Sequence, residues 1–154
     1  MSLFRDDLVA MLPHLRAFAR SLTGGDTELA DDVVQDTIIQ ALRAQDSFTP
    51  GTNLKAWLFT ILRNRFFSIV ARKHRIMETS DEGLDQQVWL PAAQDVGLEI
   101  ADFRAAFRRL SVAHREVLVL TVVHGLPYER VAEICGCEVG TVKSRVCRAR
   151  ALLK

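Results

Sequence analysis

Apolar residues along this chain recur three and four positions apart, and no segment alternates apolar and polar residues over a strand's length. The pattern predicts an all-α protein. "FRDDLVAMLPHLRAFARSL" (4–22) sets Leu8, Leu12, Leu15, Phe18, Ala19 and Leu22 on one helical face, and Pro13 predicts a kink or a short leading helix there. "GGD" (24–26) ends that element, and Asp26 or Thr27 is placed to cap the next. In "ELADDVVQDTIIQALRA" (28–44), Ala30, Val34, Ile38, Ala41 and Leu42 form the apolar face, while Glu28, Asp32, Gln35, Asp36 and Arg43 lie on another. "FTPGTN" (48–53) reads as a turn with a Thr/Asn cap. A third helix, 54–75, then carries a core stripe of Leu54, Trp57, Leu58, Ile61 and Leu62.

Periodicity fades over "ETSDEGLDQQVWLPAAQDVG" (78–97), which contains Ser, Asp, Gly and Pro and no positive charge. Structureless loops of this length are uncommon inside a compact domain, so this stretch is expected to be a linker. Trp89 and Leu90 are unusual in a solvated tether and are expected to dock on a domain or a partner. The expected organisation is two small helical domains, 1–75 and 98–154, joined by an acidic linker over 76–97. In the second, "LEIADFRAAFRRL" (98–110) is amphipathic, and "SVAHREVLVLTVVHG" (111–125) opens on a Ser cap and closes on Gly. Pro127 opens a short helix at a first-turn position, and Gly136 supplies the positive φ of a tight helix–helix turn. Val142, Val146, Ala149 and Leu153 then form one buried stripe, with Thr141, Lys143, Ser144, Arg145 and Arg148 on other faces. A helix, a Gly turn and a second helix bearing cations and hydroxyls match a helix-turn-helix.

Charge sharpens this picture. The whole chain carries a net +1, but residues 1–75, 76–102 and 103–154 carry +2, −7 and +6. A basic C-terminal module points to a polyanion, most simply DNA, with Lys and Arg suited to phosphate and guanine and the hydroxyls to either. No apolar run approaches the ~18–20 residues needed to span a membrane. The early acids of "MSLFRDDLVAML" do not resemble a signal peptide, so a cytoplasmic protein with reduced thiols is expected. Cys135, Cys137 and Cys147 lack the paired spacing of a zinc site, and Cys135 at a helix end reads as a small hydrophobe under the turn. No metal or other cofactor is expected.

Two further groups carry candidate chemistry. The acidic face of 28–36 lacks a histidine, a nucleophile or a phosphate loop, which leaves solvated surface or a docking face for a basic or amide-rich partner. Helix 54–75 interleaves Lys55, Arg63, Asn64, Arg65 and Arg72–Arg75 with Phe59, Phe66 and Phe67. Cations tracking a backbone beside aromatics suit single-stranded DNA, with core packing as the competing reading, above all for Phe66.

"ELADDVVQDTIIQALRA", "NLKAWLFTILRNRFFS" and "EVGTVKSRVCRARALL" together resemble three signature regions of bacterial extracytoplasmic-function (ECF) sigma factors, in the right order and over nearly the whole chain. "PGTNLKAWLFTILRNRFFS" with "AEICGCEVGTVKSRV" further resembles the alphaproteobacterial general-stress-response subgroup, in which the Cys-Gly-Cys turn recurs. The resemblance implies a protein that binds core RNA polymerase, recognises a promoter and helps to melt it. It implies that Asp32, Gln35 and Asp36 dock on the β′ clamp helices. The loop at 46–53, with Lys55, Arg63 and Asn64, would hold the −10 element, a flipped base sitting in the loop. Helix 139–150, with Thr141, Lys143, Ser144, Arg145 and Arg148, would read the −35 element, and the helices before it would meet the β flap. It also implies control by a small helical NepR-type anti-sigma factor bridging both domains, for which the acidic linker folding onto the basic module is the competing device. Pro127 departs from the Ser the family often has there. An ordinary helix-turn-helix regulator would explain 111–153 but not the first module, and an enzyme lacks an acid–base or nucleophile constellation. Limited proteolysis is expected to cut first within 76–97; a single resistant core spanning 60–120 would contradict the linker.

Overall fold

The structure, a computed structural model, describes residues 2–78 and 98–153. The expected linker, with Trp89 and Leu90, lies almost wholly outside the described residues. Eight α-helices follow in order: α1 Ser2–Ala10, α2 Leu12–Thr23, α3 Thr27–Arg43, α4 Leu54–Glu78, α5 Leu98–Arg109, α6 Val112–Leu118, α7 Tyr128–Cys135 and α8 Val139–Leu152. A 3₁₀ turn, Gln45–Ser47, lies between α3 and α4, and a π-helical turn, Val119–Val123, extends α6. There is no strand among the described residues.

The helix boundaries follow local chemistry. The first apolar run breaks at Met11, and Pro13 sits in the first turn of α2, where a missing N–H costs no internal bond. Gly24, at φ 71°, ends α2 in the left-handed conformation that a side chain disfavours. Asp26 caps α3 by accepting from the Leu29 N–H at 3.0 Å. Asn53 does the same for α4 through the Ala56 N–H at 3.1 Å, and Ser111 for α6 through the His114 N–H at 3.2 Å. Pro127 stands at the N-cap of α7, one position before the first turn that its sequence context suggests. Gly136, at φ 66°, makes the turn into α8.

In the first module α2, α3 and α4 pack around Leu15, Phe18, Leu22, Val33, Leu58, Phe59 and Leu62. Val33 and Thr37 extend the buried face of α3 beyond the expected stripe, and the Thr37 hydroxyl is satisfied by donating to the Val33 carbonyl at 2.7 Å. In the second, α6, α7 and α8 enclose Val117, Leu120, Val131, Val142, Val146 and Ala149. The two cores join into one hydrophobic cluster, with α2 against α6 and α4 against α7. Periodicity within each module does not reveal this joining.

Arg115 holds the joint. It is buried, and its guanidinium has no carboxylate partner but donates to four backbone carbonyls. Two, Ser21 (2.8 Å) and Leu22 (3.0 Å), belong to the last turn of α2; the others, Arg108 (3.3 Å) and Leu110, lie at the end of α5. The last carbonyls of a helix lack internal partners and carry the negative end of its dipole, so one buried cation caps two helices from different modules. Burial lowers the pKa of Arg115 from its usual value. Replacing Arg115 with Met should keep the apolar volume but orphan these carbonyls, at roughly 1–3 kcal/mol for each one that water cannot reach. An overall loss of about 2–4 kcal/mol is expected in denaturant melts, only partly recovered by Arg115→Lys because an ammonium lacks the planar fork. A loss under about 0.5 kcal/mol, the scale of ordinary surface changes, would refute the capping role.

Candidate nucleic-acid interface

The second helix of the helix-turn-helix, α8, buries Val142, Val146 and Ala149 and so fixes which residues face out. Lys143, Ser144 and Arg148 are exposed, while Thr141 is half-buried. Arg145 is also half-buried, with Nη1 4.0 Å from the Cys137 sulfur. Four of the five expected −35 residues, Thr141, Lys143, Ser144 and Arg145, thus fall within the N-terminal half of one helix, and Arg148 lies one turn further on.

The expected −10 residues are not brought to one open face. Asn64 is exposed. Lys55 is half-buried, close enough to His124 of the second module for its charge to act there. Arg63 is turned into the joint, where Nε lies 2.8 Å from Glu116 Oε2 and Nη2 lies 3.2 Å from Oε1, a bidentate pair. Burial disfavours the Arg63 charge, but the hydrogen bond and charge of Glu116 outweigh it, and the guanidinium titrates above its usual value. Arg63 also stacks over Phe67 at 4.6 Å. Of the interleaved aromatics, Phe59 and Phe66 are core residues, Phe59 meeting Phe18 at 4.8 Å, so neither is available to stack on bases.

On α3, Asp32 and Gln35 are exposed, whereas Asp36 accepts from Arg65 Nε at 2.8 Å. The pair is well exposed, so it is worth ~0–1 kcal/mol and is readily exchanged for a partner's groups.

Sequence periodicity missed Arg115 and Glu116, which are buried, and the full packing of His124. A signal existed: "HRE" enters an otherwise apolar run, "VLVLTVV", and charge there requires partners. The His124 ring lies 4.7 Å from Phe59, 5.7 Å from His14 and 6.4 Å from Phe18. Neither ring nitrogen has a hydrogen-bond partner among the described residues. Burial, followed by the charges of Lys55 and His14, pulls its pKa down to about 4. Cys135 is buried, and burial reinforced by the Glu116 carboxylate pushes its thiol up to about 12, which makes it a poor nucleophile. Cys137 is half-buried and Cys147 exposed. No group of three or more His, Cys, Asp or Glu side chains among the described residues is arranged to hold a metal ion.

The Sigma-70 region 2 family matches residues 8–76, and the Sigma-70, region 4 family matches residues 100–153. Over 149 residues the chain is 49% identical to the ECF RNA polymerase sigma factor EcfG of Rhodopseudomonas palustris, covering 97% of this chain and 82% of that protein. This chain belongs to the ECF family of RNA polymerase sigma factors. As a sigma factor it binds core RNA polymerase and directs transcription initiation at promoters. It is similar to the sigma factor RpoE from Bartonella quintana, solved in complex with the anti-sigma factor NepR, at 46% identity and a TM-score of 0.88, covering 99% of this chain and 95% of that one. CnrH, solved in complex with the cytosolic domain of CnrY, is 30% identical with a TM-score of 0.67, covering 97% of this chain and 84% of that one. No described helix of the sigma factor is long and apolar enough to cross a membrane.

His124 makes the joint sensitive to acid. It is neutral when folded down to pH about 4 but titrates near 6.5 when unfolded. Between those values the unfolded chain takes up a proton that the folded chain does not, so stability falls as pH falls through this window and this residue adds no further loss below it. Thermal midpoints from pH 7 to 4 are expected to drop more steeply in the natural chain than in His124→Leu. Parallel curves would contradict the assignment.

Proposed function

We propose that this sigma factor divides promoter recognition and polymerase docking among the residues described above. The −35 element is read by α8 through Thr141, Lys143, Ser144, Arg145 and Arg148. The observation that carries this reading is the orientation of α8, whose buried Val142–Val146–Ala149 stripe leaves Lys143, Ser144 and Arg148 to solvent. A helix so presented fits the major groove, hydroxyls and cations meeting phosphates and base edges. Lys55, Arg63 and Asn64 contact the melted −10 element. Asp32 and Gln35 dock on the β′ clamp helices, joined by Asp36 once it leaves Arg65, and the helices before α8 meet the β flap. The two modules act as domains 1–75 and 98–154 about a linker over 76–97. The likeness to RpoE, solved with NepR, supports a NepR-type anti-sigma partner and a place in a stress response. The protein acts in the cytoplasm, and it is not an enzyme. A separate helix-turn-helix regulator is disfavoured, since region 2 matches as well as region 4.

Purified chain added to core polymerase is expected to start transcription at specific sites in a promoter library. Alanine at Lys143, Arg145 and Arg148 together should weaken duplex promoter binding. The salt slope should flatten by about 0.9 for each phosphate no longer neutralised, and discrimination should fall by ~1–3 kcal/mol where a bidentate hydrogen bond to a base is removed. Asp32→Lys should weaken core binding with the helical circular-dichroism signal intact. Unchanged promoter binding in the first variant, or unchanged core affinity in the second, would refute that residue assignment.

A further inference from the structure

We infer that Glu116 is an autoinhibitory carboxylate: in the free chain it occupies the guanidinium of Arg63 and closes the second module over the −10 face of α4, while the −35 face of α8 stays open. The inference rests on the −10 reading of Arg63.

The geometry is that of a surrogate ligand. Arginine recognises carboxylate and phosphate through the same planar fork, so a guanidinium held at two oxygens by Glu116 is not free for DNA. The contact and the closure are also coupled. Glu116 is 1% exposed, and a carboxylate in such a place without its cation is strongly disfavoured. Taking Arg63 away for DNA therefore requires Glu116 to reach water, and that requires the modules to part.

Neighbouring groups point the same way. Lys55, half-buried, acts on His124, so two of the three proposed −10 residues face the second module. The loop that opens α4 shares a groove of about 200 Å³ with α7, lined by Asn53 and Trp57 on one side and by Arg130 and Glu133 on the other. Lys143, Ser144 and Arg148 of α8 are left exposed. Closure therefore acts on one promoter contact and spares the other. The likeness to NepR-bound RpoE spans both modules in a single superposition, yet every contact in this clasp is made by the chain's own residues.

The test uses the full chain and four variants: Glu116→Gln, Glu116→Asp, Arg63→Gln and the double variant of Glu116→Gln with Arg63→Gln. Small-angle scattering reports the radius of gyration, circular dichroism reports folding, and fluorescence anisotropy reports binding to a random-sequence single-stranded DNA 20-mer and to a random duplex. Glu116→Gln is expected to enlarge the radius and to raise single-strand affinity several-fold, with duplex affinity unchanged. Arg63→Gln should enlarge the radius without that gain, and the double variant should lose it. Glu116→Asp, which keeps the charge but shortens the reach, should fall between the natural chain and Glu116→Gln. A folded Glu116→Gln chain with unchanged radius and unchanged single-strand affinity would overturn the clasp, whatever Arg63 does. Expansion without a gain would overturn the masking of DNA. In that case, Arg63→Gln retaining full transcription with core polymerase would place the failure in the −10 reading, and its loss of transcription would place it in the clasp.

Discussion

A buried guanidinium must find acceptors for its N–H groups, and Arg115 finds them in four carbonyls at the ends of two helices. This requirement fixes α6 against the end of α2 and ties α5 to the same point. Once Arg115 is placed, the next residue is placed with it. Glu116 leaves the same turn of α6 and meets Arg63 on α4. Two helical turns on, the His124 ring enters the aromatic nest of Phe18 and Phe59. Three polar side chains from one segment thus line a joint whose surroundings are apolar. Such a joint is specific in register, because a slip would strand a charge away from water, and it is only modestly stable, because charges that leave water return part of what their partners provide.

That balance suits a protein with two successive sets of partners. A joint built only from Leu and Phe would favour closure without condition. Here the same groups that close the molecule are hydrated readily once apart, so polymerase or DNA needs to supply only the difference between two well-solvated arrangements.

How much of this was legible in the sequence depended on whether a feature is local. Helix periods, the Asp26, Asn53 and Ser111 caps and the glycine turns at 24 and 136 involve residues within a few positions of each other, and they were readable. The outward face of α8 was readable too, because one stripe of Val and Ala decides it. The joint was not. Arg63 and Glu116 are 53 positions apart, and Arg115 and Ser21 94 apart, so no window along the chain contains either pair. Phe59 illustrates the same limit. Its spacing allows either an outward aromatic or a core residue, and only packing against Phe18 and His124 decides between them.

The π-helical turn at Val119–Val123 bears on how this chain tolerates changes of length. It closes with a bond from the His124 N–H to the Val119 carbonyl at 3.0 Å, five residues back, so it holds one residue more than an α-helical turn would. Removing one residue there would let the segment relax into regular α-helix, but everything beyond it would turn by about 100° relative to α6. His124 would leave the nest and Leu126 its buried position, while Val122 or Val123, now exposed, would be carried toward them. In most helix connections a one-residue deletion is absorbed by a nearby loop. Here the surplus residue is the phase adjustment between the joint and the DNA-reading helices, and the reading frame of the whole second module is set by keeping it.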